Sequence, residues 1–312
     1  MDTPVVVVCG PTASGKTGLA IDIALRLNGE VINADSMQIY RGMDIGTAKP
    51  GAHEMRGVPH HLIGTVGIDE PYSAAIYQQQ ARACITAIAA RGKLPILCGG
   101  TGLFLSAAVY PLDFRQSNAD EALRARLQRM ERQQGAQALH DLLREKDPEA
   151  AGRIHANNTR RVIRALEIAL SDSAQPAGDA QLFSGQPLYP LAWLGLCRDR
   201  VALNRRIDQR VDIMVQDGLL DEVRALTARY GRDAAAFQAL GYKELFPVLD
   251  GQQPLSQAVE RIKVATHQYA KRQMTWFRRE RAIHWLDAES YNGPDALLHA
   301  ALGYIRQTLH IP

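Results

Sequence analysis

Gly10, Gly15, Lys16 and Thr17, in the stretch GPTASGKT, satisfy the spacing G-x-x-x-x-G-K-[ST]. That spacing makes a grip for a diphosphate. Glycines let backbone N–H groups turn inward on phosphate oxygens, and the N-terminus of the helix that follows adds a positive field. The expected cradle is the whole stretch: Gly10, Pro11, Thr12, Ala13, Ser14, Gly15, Lys16 and Thr17. The Lys16 ammonium neutralises an outer phosphate, and the Thr17 hydroxyl is the expected Mg²⁺ ligand. The stretch leaves open what becomes of the diphosphate: cut by water, passed to an acceptor, or released as a leaving group.

Asp35 opens the second chemical stretch, DSMQIYRGMDIGTAKP, at the tip of a second strand. Open α/β sheets hold ligands at the carboxyl ends of their strands, so Asp35 belongs near the mouth of the cradle. It has three possible tasks there: capping the next turn, holding Mg²⁺ through water, or taking a proton from an acceptor. A third strand end, LPILCGG, carries Cys98 and glycines where many nucleotide hydrolases carry an Mg²⁺-ordering Asp. That weakens a nucleotide-hydrolase reading and brings forward Thr101, in GGTGLF, with its neighbouring amides.

The elements that must position these groups follow from local pattern. The β-branched run PVVVVC (4–9) reads as a buried parallel strand. A helix is expected from Lys16 to about Asn28 with Gly29 as its stop, then a strand over EVINA (30–34). Tyr72 to Arg91 reads as a helix capped by Ser73 and ended by Gly92, and LPILC (94–98) as another buried strand. Strands alternating with helices give right-handed βαβ units and a parallel sheet. From Asp120 to about Leu170 the pattern is helical only, followed by a Ser/Gly/Pro-rich linker over 171–187. LYPLAWLGL (188–196) returns to strand character. Helices follow from about Val201 and from about Ser256 to Arg279, then a last strand, AIHWL (282–286), and a final helix. The fold class is α/β: a P-loop NTPase-like parallel sheet core flanked by helices, with an all-helical insertion domain. The expected division is residues 1–110 and 188–312 for the core and 111–187 for the insertion.

With 312 residues and 46% hydrophobic content, the chain can bury a sizeable core, and its net charge of +3 says little about partners. The four cysteines have no metal-knuckle spacing and read as small buried hydrophobes in a reducing compartment. The start, MDTPVVVVCG, has an acid where a signal peptide needs positive charge, and its apolar run is too short to span a membrane. A cytoplasmic protein without membrane association is expected.

In order along the chain, GPTASGKT, DSMQIYRGMDIGTAKP, VPHHL, YSAA, GGTGLFL, RRVIRALE, QALGYKE and KRQMTWFR resemble the tRNA dimethylallyltransferases, also called tRNA isopentenyltransferases. The later blocks carry the resemblance, because the first is shared with many unrelated proteins. The resemblance implies transfer of a dimethylallyl group from dimethylallyl diphosphate to N6 of the adenosine on the 3′ side of the anticodon, with release of diphosphate and Mg²⁺ as cofactor. It implies Asp35 as the general base, Thr101 as a contact at the reacting centre, and Arg210 as a diphosphate contact. In NRRIDQRVDIM, Arg206 and Arg210 share one helix face.

The acceptor is then the anticodon stem-loop, whose target base must leave its stack to be reached. By resemblance Asp35, Ser36, Met37 and Gln38 read that base. The expected RNA contacts elsewhere are Arg160, Arg161, Val162, Ile163 and Arg164; Gln238, Gly241, Tyr242 and Lys243; and Lys271, Arg272 and Arg278. The insertion adds Arg124, Arg126, Arg129, Arg132 and Arg153. Phe104 departs from the Tyr common in the family, and nothing in the sequence resembles the zinc finger that eukaryotic relatives append. A monomer without zinc is expected. Three alternatives remain at this stage: an ATP-dependent small-molecule kinase, an enzyme prenylating free AMP, and a non-catalytic RNA binder.

Overall fold

The computed structural model describes residues 3–114, 121–170 and 185–312. In chain order the first unit begins with β1 (Val5–Cys9), α1 (Lys16–Arg26), β2 (Gly29–Asn33), α2 (Ala52–Met55), β3 (His60–His61), α3 (Ala74–Ala90), β4 (Leu94–Gly99) and α4 (Gly102–Val109). Then come α5 (Glu121–Lys146), α6 (Pro148–Arg153) and α7 (Thr159–Ala169). The chain continues with β5 (Leu191–Cys197), α8 (Arg200–Gln216), α9 (Leu219–Tyr230), α10 (Phe246–Leu249), α11 (Leu255–Phe277), β6 (Ile283–Asp287) and α12 (Pro294–Leu309). It forms two compact units: residues up to Pro111 and from Gly185 onward, and the stretch between them.

The first unit is a six-stranded sheet of order β3-β2-β4-β1-β5-β6, parallel throughout. Every residue of β1 is fully buried, as a central strand covered on both faces requires. One face is sealed by α1 and α12, where Ile23 and Ile305 join Val6, Val8 and Ile96 in one apolar cluster. Helices α3 and α4 pack on each other and against β4. Helices α8 and α11 pack together, and their Leu203, Ile207 and Ala270 close on Ala13 of the loop after β1.

Local signals were accurate where chemistry is local. Ser73 caps α3 by accepting the Ile76 amide at 3.3 Å, and Gly92 takes a left-handed φ of 68° after its end. Gly29 corrects the expectation that it would stop the first helix. It is the first residue of β2, and Asn28 takes the left-handed turn at φ 49°. The helical stretch after residue 120 is also not continuous, since Gly135 leaves helical geometry at φ 85° and ψ 171°.

The second unit's described elements are the helices α5, α6 and α7. Leu127, Leu139, Leu143, Val162 and Leu166 form its core. The expected linker over 171–187 lies outside the described residues as far as residue 184.

Candidate active site

The turn between β1 and α1 wraps the N-terminus of α1. Gly15 stands at its N-cap at φ 100°, a left-handed conformation that costs glycine no Cβ clash. Thr12, Ala13, Gly15, Lys16 and Thr17 line a cavity of about 190 Å³. Gly10, Pro11 and Ser14 are buried in the loop and do not line it. Lys16 Nζ donates to the Pro11 carbonyl at 3.2 Å. Burial lowers the Lys16 pKa, and the opposing pull of Cys98 and Asp35 favours its charged form.

Three arginines from the segment after β5 hold this loop from outside. Arg198 Nε donates to the Ser14 carbonyl at 2.8 Å, and Arg206 Nε to the Ala13 carbonyl at 2.9 Å. Arg210 Nη1 donates to Thr12 Oγ1 at 3.3 Å. Burial and the neighbouring Arg206 both lower the Arg210 pKa. Such mutual repulsion among cations is relieved by an anion between them. Arg198 was not foreseen, since nothing near it in sequence marks it.

Asp35 sits just past the end of β2. Its Oδ1 accepts the amides of Met37 at 2.9 Å and Gln38 at 3.4 Å, so it does cap the turn that follows. Its other oxygen has no hydrogen-bond partner among the described residues. Asn33 sets the Asp35 backbone, donating to its carbonyl at 3.2 Å and accepting its amide at 3.3 Å. Thr101 Oγ1 accepts the Ser36 amide at 3.0 Å and donates to Ser36 Oγ at 3.2 Å, joining the ends of β2 and β4.

A second cavity of about 300 Å³ opens beside the first. Ser36, Met37, Gln238, Gly241, Lys243 and Arg272 line it, together with the apolar Ile207, Val211, Met214 and Ile262. Thr12, Asp35, Thr47, Ala48 and Arg210 line both cavities. The carboxylate and Arg210 therefore stand where the two spaces meet.

Gln38, expected to read the base, lines the cradle cavity, and its Nε2 donates to the carbonyls of Thr47 and Ala48, both at 3.1 Å. Gln273 was also missed in its role. Its Oε1 accepts the Thr12 amide at 2.9 Å and its Nε2 donates to the Gly100 carbonyl at 2.9 Å. Tyr269, one turn earlier on α11, lines the larger cavity beside Asp35. Burial raises its pKa, and so does nearby Asp35, so its hydroxyl stays protonated. Phe104 is buried and stacks on Tyr77 at 4.1 Å, so the phenyl belongs to the core.

Several expected RNA contacts have other partners in the structure. Val162 and Ile163 are buried in the core of the helical unit because they lie on the apolar face of α7. Tyr242 is fully buried and donates to Glu222 Oε1 at 2.6 Å. Arg164 is tied to buried Glu167 at 3.1 Å, a carboxylate that Arg124 also holds. Arg160 and Arg161 are exposed on the same helix, as are Lys271 on α11 and Arg278 at its C-terminal cap.

A parallel sheet with a glycine-lysine turn after its first strand, a carboxylate at the next strand end and a second cavity beyond it has the arrangement of an α/β enzyme that holds ligands at its strand ends. The profile described as IPP transferase matches residues 38–280. The chain is 50% identical to the tRNA dimethylallyltransferase of Geobacillus thermodenitrificans over 92% of this chain and 91% of that one. It is 48% identical to the Bacillus subtilis tRNA dimethylallyltransferase, over 91% of this chain and 90% of that one. Among solved structures, the tRNA isopentenylpyrophosphate transferase of Bacillus halodurans superposes with a TM-score of 0.73 at 43% identity, covering 99% of this chain and 98% of that one. A eukaryotic dimethylallyltransferase acting on tRNA gives 0.82 at 30% identity, covering all of this chain and 81% of that one. The chain belongs to the IPP transferase family.

Proposed function

We propose that this protein transfers the dimethylallyl group of dimethylallyl diphosphate to N6 of the adenosine 3′ to the anticodon in tRNA. The observation that carries the reading is the meeting of two cavities at Asp35 and Arg210. The smaller space has the cations and amides for a diphosphate. The larger one has an apolar wall and polar groups suited to a base turned out of its loop.

In this reading the allylic C1–O bond breaks and the N6–C1 bond forms. The proton on N6 passes to the free oxygen of Asp35, and diphosphate leaves. The adenine amine is a weak nucleophile because its lone pair is delocalised into the ring. A carboxylate accepting its N–H raises its reactivity and takes the proton as the bond forms, help of roughly 10²–10⁴ in rate. Lys16, Arg210 and the loop amides stabilise the charge building on the leaving diphosphate. Thr101 orders Ser36 beside the base.

Mg²⁺ suits the donors present. Thr17 lines the cradle, and among the described residues no cluster of acids, histidines or cysteines stands ready to strip the ion of water. Such a site matches an ion that keeps its waters and takes phosphate oxygens. Thr17 is the residue that would hold it, and the ion would add positive charge against the leaving group.

The acceptor RNA is gripped by the exposed cations of the helical unit, Arg160 and Arg161 among them, and by Lys271 and Arg278. No helix among the described residues is long and apolar enough to cross a membrane. The test is incubation with tRNA and dimethylallyl diphosphate, followed by mass analysis of the nucleosides. A gain of C₅H₈ on one adenosine is the expected result. Label moving from the γ-phosphate of ATP to an acceptor, with no such gain, would overturn the reading.

A further inference from the structure

Glu222 lies in the first turn of α9, 178 residues from Asp44, yet its carboxylate gathers a whole turn of that distant segment. Oε2 accepts the amides of Asp44 at 2.9 Å and Ile45 at 2.8 Å, and Oε1 accepts the Gly46 amide at 3.0 Å. The Tyr242 hydroxyl donates to Oε1 at 2.6 Å and completes the set. Three successive amides converging on one anion form a nest, the geometry that proteins use for phosphate and carboxylate. A Cβ at Gly46 would fall 2.5 Å from the Tyr242 ring, so the turn fits only as glycine pressed against that tyrosine.

The captured segment is a wall of the active site. Thr47 and Ala48 line both cavities, as Asp35 and Arg210 do. Gln38 Nε2 fastens the Thr47 and Ala48 carbonyls at 3.1 Å each. Glu222 pulls on the amides at the start of the turn and Gln38 on the carbonyls at its end.

We propose that Glu222 is a positioning residue for the transfer: it fixes the Asp44–Ala48 wall so that the acceptor base meets Asp35 at the junction of the cavities. The proposal rests on assigning the larger cavity to the acceptor adenosine. A carboxylate is needed because each oxygen faces two donors. In Glu222→Gln, whichever way the amide turns, an NH₂ group faces a backbone N–H. Charge-assisted bonds are also about twice as strong as neutral ones. Apart from Thr47 and Ala48, the residues lining the diphosphate cradle lie outside this wall, so it should feel the change less.

Steady-state kinetics with tRNA and dimethylallyl diphosphate, and calorimetric binding of inorganic diphosphate, test this on the full chain. In Glu222→Gln, kcat/KM for tRNA is expected to fall about tenfold or more, with diphosphate affinity changed by less than about threefold. Glu222→Asp, one methylene shorter, is expected not to restore the rate. Tyr242→Phe removes one of the four bonds and is expected to cost about threefold in kcat/KM for tRNA. A folded Glu222→Gln with tRNA kinetics like the parent, or an equal loss for both substrates, would overturn the proposal. If Glu222→Gln fails to fold, Tyr242→Phe decides: unchanged tRNA kinetics would overturn it as well. Failure of the parent protein to prenylate tRNA at all would instead refute the functional assignment.

Discussion

Gln273 of α11 accepts the Thr12 amide and, through its other side-chain atom, donates to the Gly100 carbonyl, each at 2.9 Å. One buried amide side chain thus fixes the distance between the phosphate loop and the turn after β4. Its partners lie 261 and 173 residues away in sequence. Gln273→Leu leaves the buried Gly100 carbonyl without this partner, at a cost on the order of 1–3 kcal/mol, and frees the part-buried Thr12 amide. Denaturant unfolding should show the lower stability. Titration with inorganic diphosphate should show weaker binding, because the loop loses its tether. Unchanged values in both measurements would show that the two bonds hold nothing in place.

Asp35→Asn separates the two tasks of that side chain. The amide oxygen can still accept the Met37 and Gln38 amides, so the turn and the tRNA affinity are expected to persist. Proton acceptance is lost, and single-turnover prenyl transfer is expected to fall roughly 10²-fold or more. Turnover close to that of the parent would remove Asp35 from the chemistry.

The helical unit should be separable from the sheet. The chain leaves and re-enters the first unit at one place, where the Leu188 amide donates to the Val109 carbonyl at 2.8 Å. A short glycine-serine linker in place of residues 112–184 is expected to leave a folded protein that still binds inorganic diphosphate. Filter binding should show that tRNA affinity is lost. Retained affinity would move the RNA surface onto the sheet-bearing unit.

Glu30 on β2 gives a pH dependence of known sign. Burial pushes its carboxyl up, but hydrogen bonds from Arg91, His61 and Lys93 overcome this and hold it at about 2, below its ordinary 4.5. The stability so gained is fully present above the ordinary value and is lost as pH falls through the window down to about 2. A shift of that size corresponds to about 3 kcal/mol. Acid unfolding followed by circular dichroism should be shallower in Glu30→Gln over that window. Identical acid limbs would mean that the cluster is not coupled to folding.

What could be read from the sequence was what is local. The phosphate loop is one continuous stretch, so its spacing, its glycine and its flanking strand and helix all announce themselves together. Ser73 and Gly92 mark their helix ends for the same reason. Val162 and Ile163 were named with the arginines because a motif was carried over whole. The amphipathic period of α7 turns those two positions inward while Arg160 and Arg161 stay outside. Gly29 misled because a glycine after a helix suits a stop and the first residue of a buried strand equally well.

By itself the sequence determined the glycine-lysine turn between the first strand and helix, the alternation of strands and helices, and the order of blocks that shows the family. Each of these depends on residues a few positions apart, where backbone geometry alone fixes who meets whom. Only the tertiary structure decided the strand order, the convergence of Arg198, Arg206 and Arg210 on one loop, the clamp made by Gln273, and the capture of the Asp44 turn by Glu222. Those contacts join side chains to backbone groups of distant segments. A backbone amide looks the same at every position, so no pattern in the sequence can name its partner until the sheet has brought the two together.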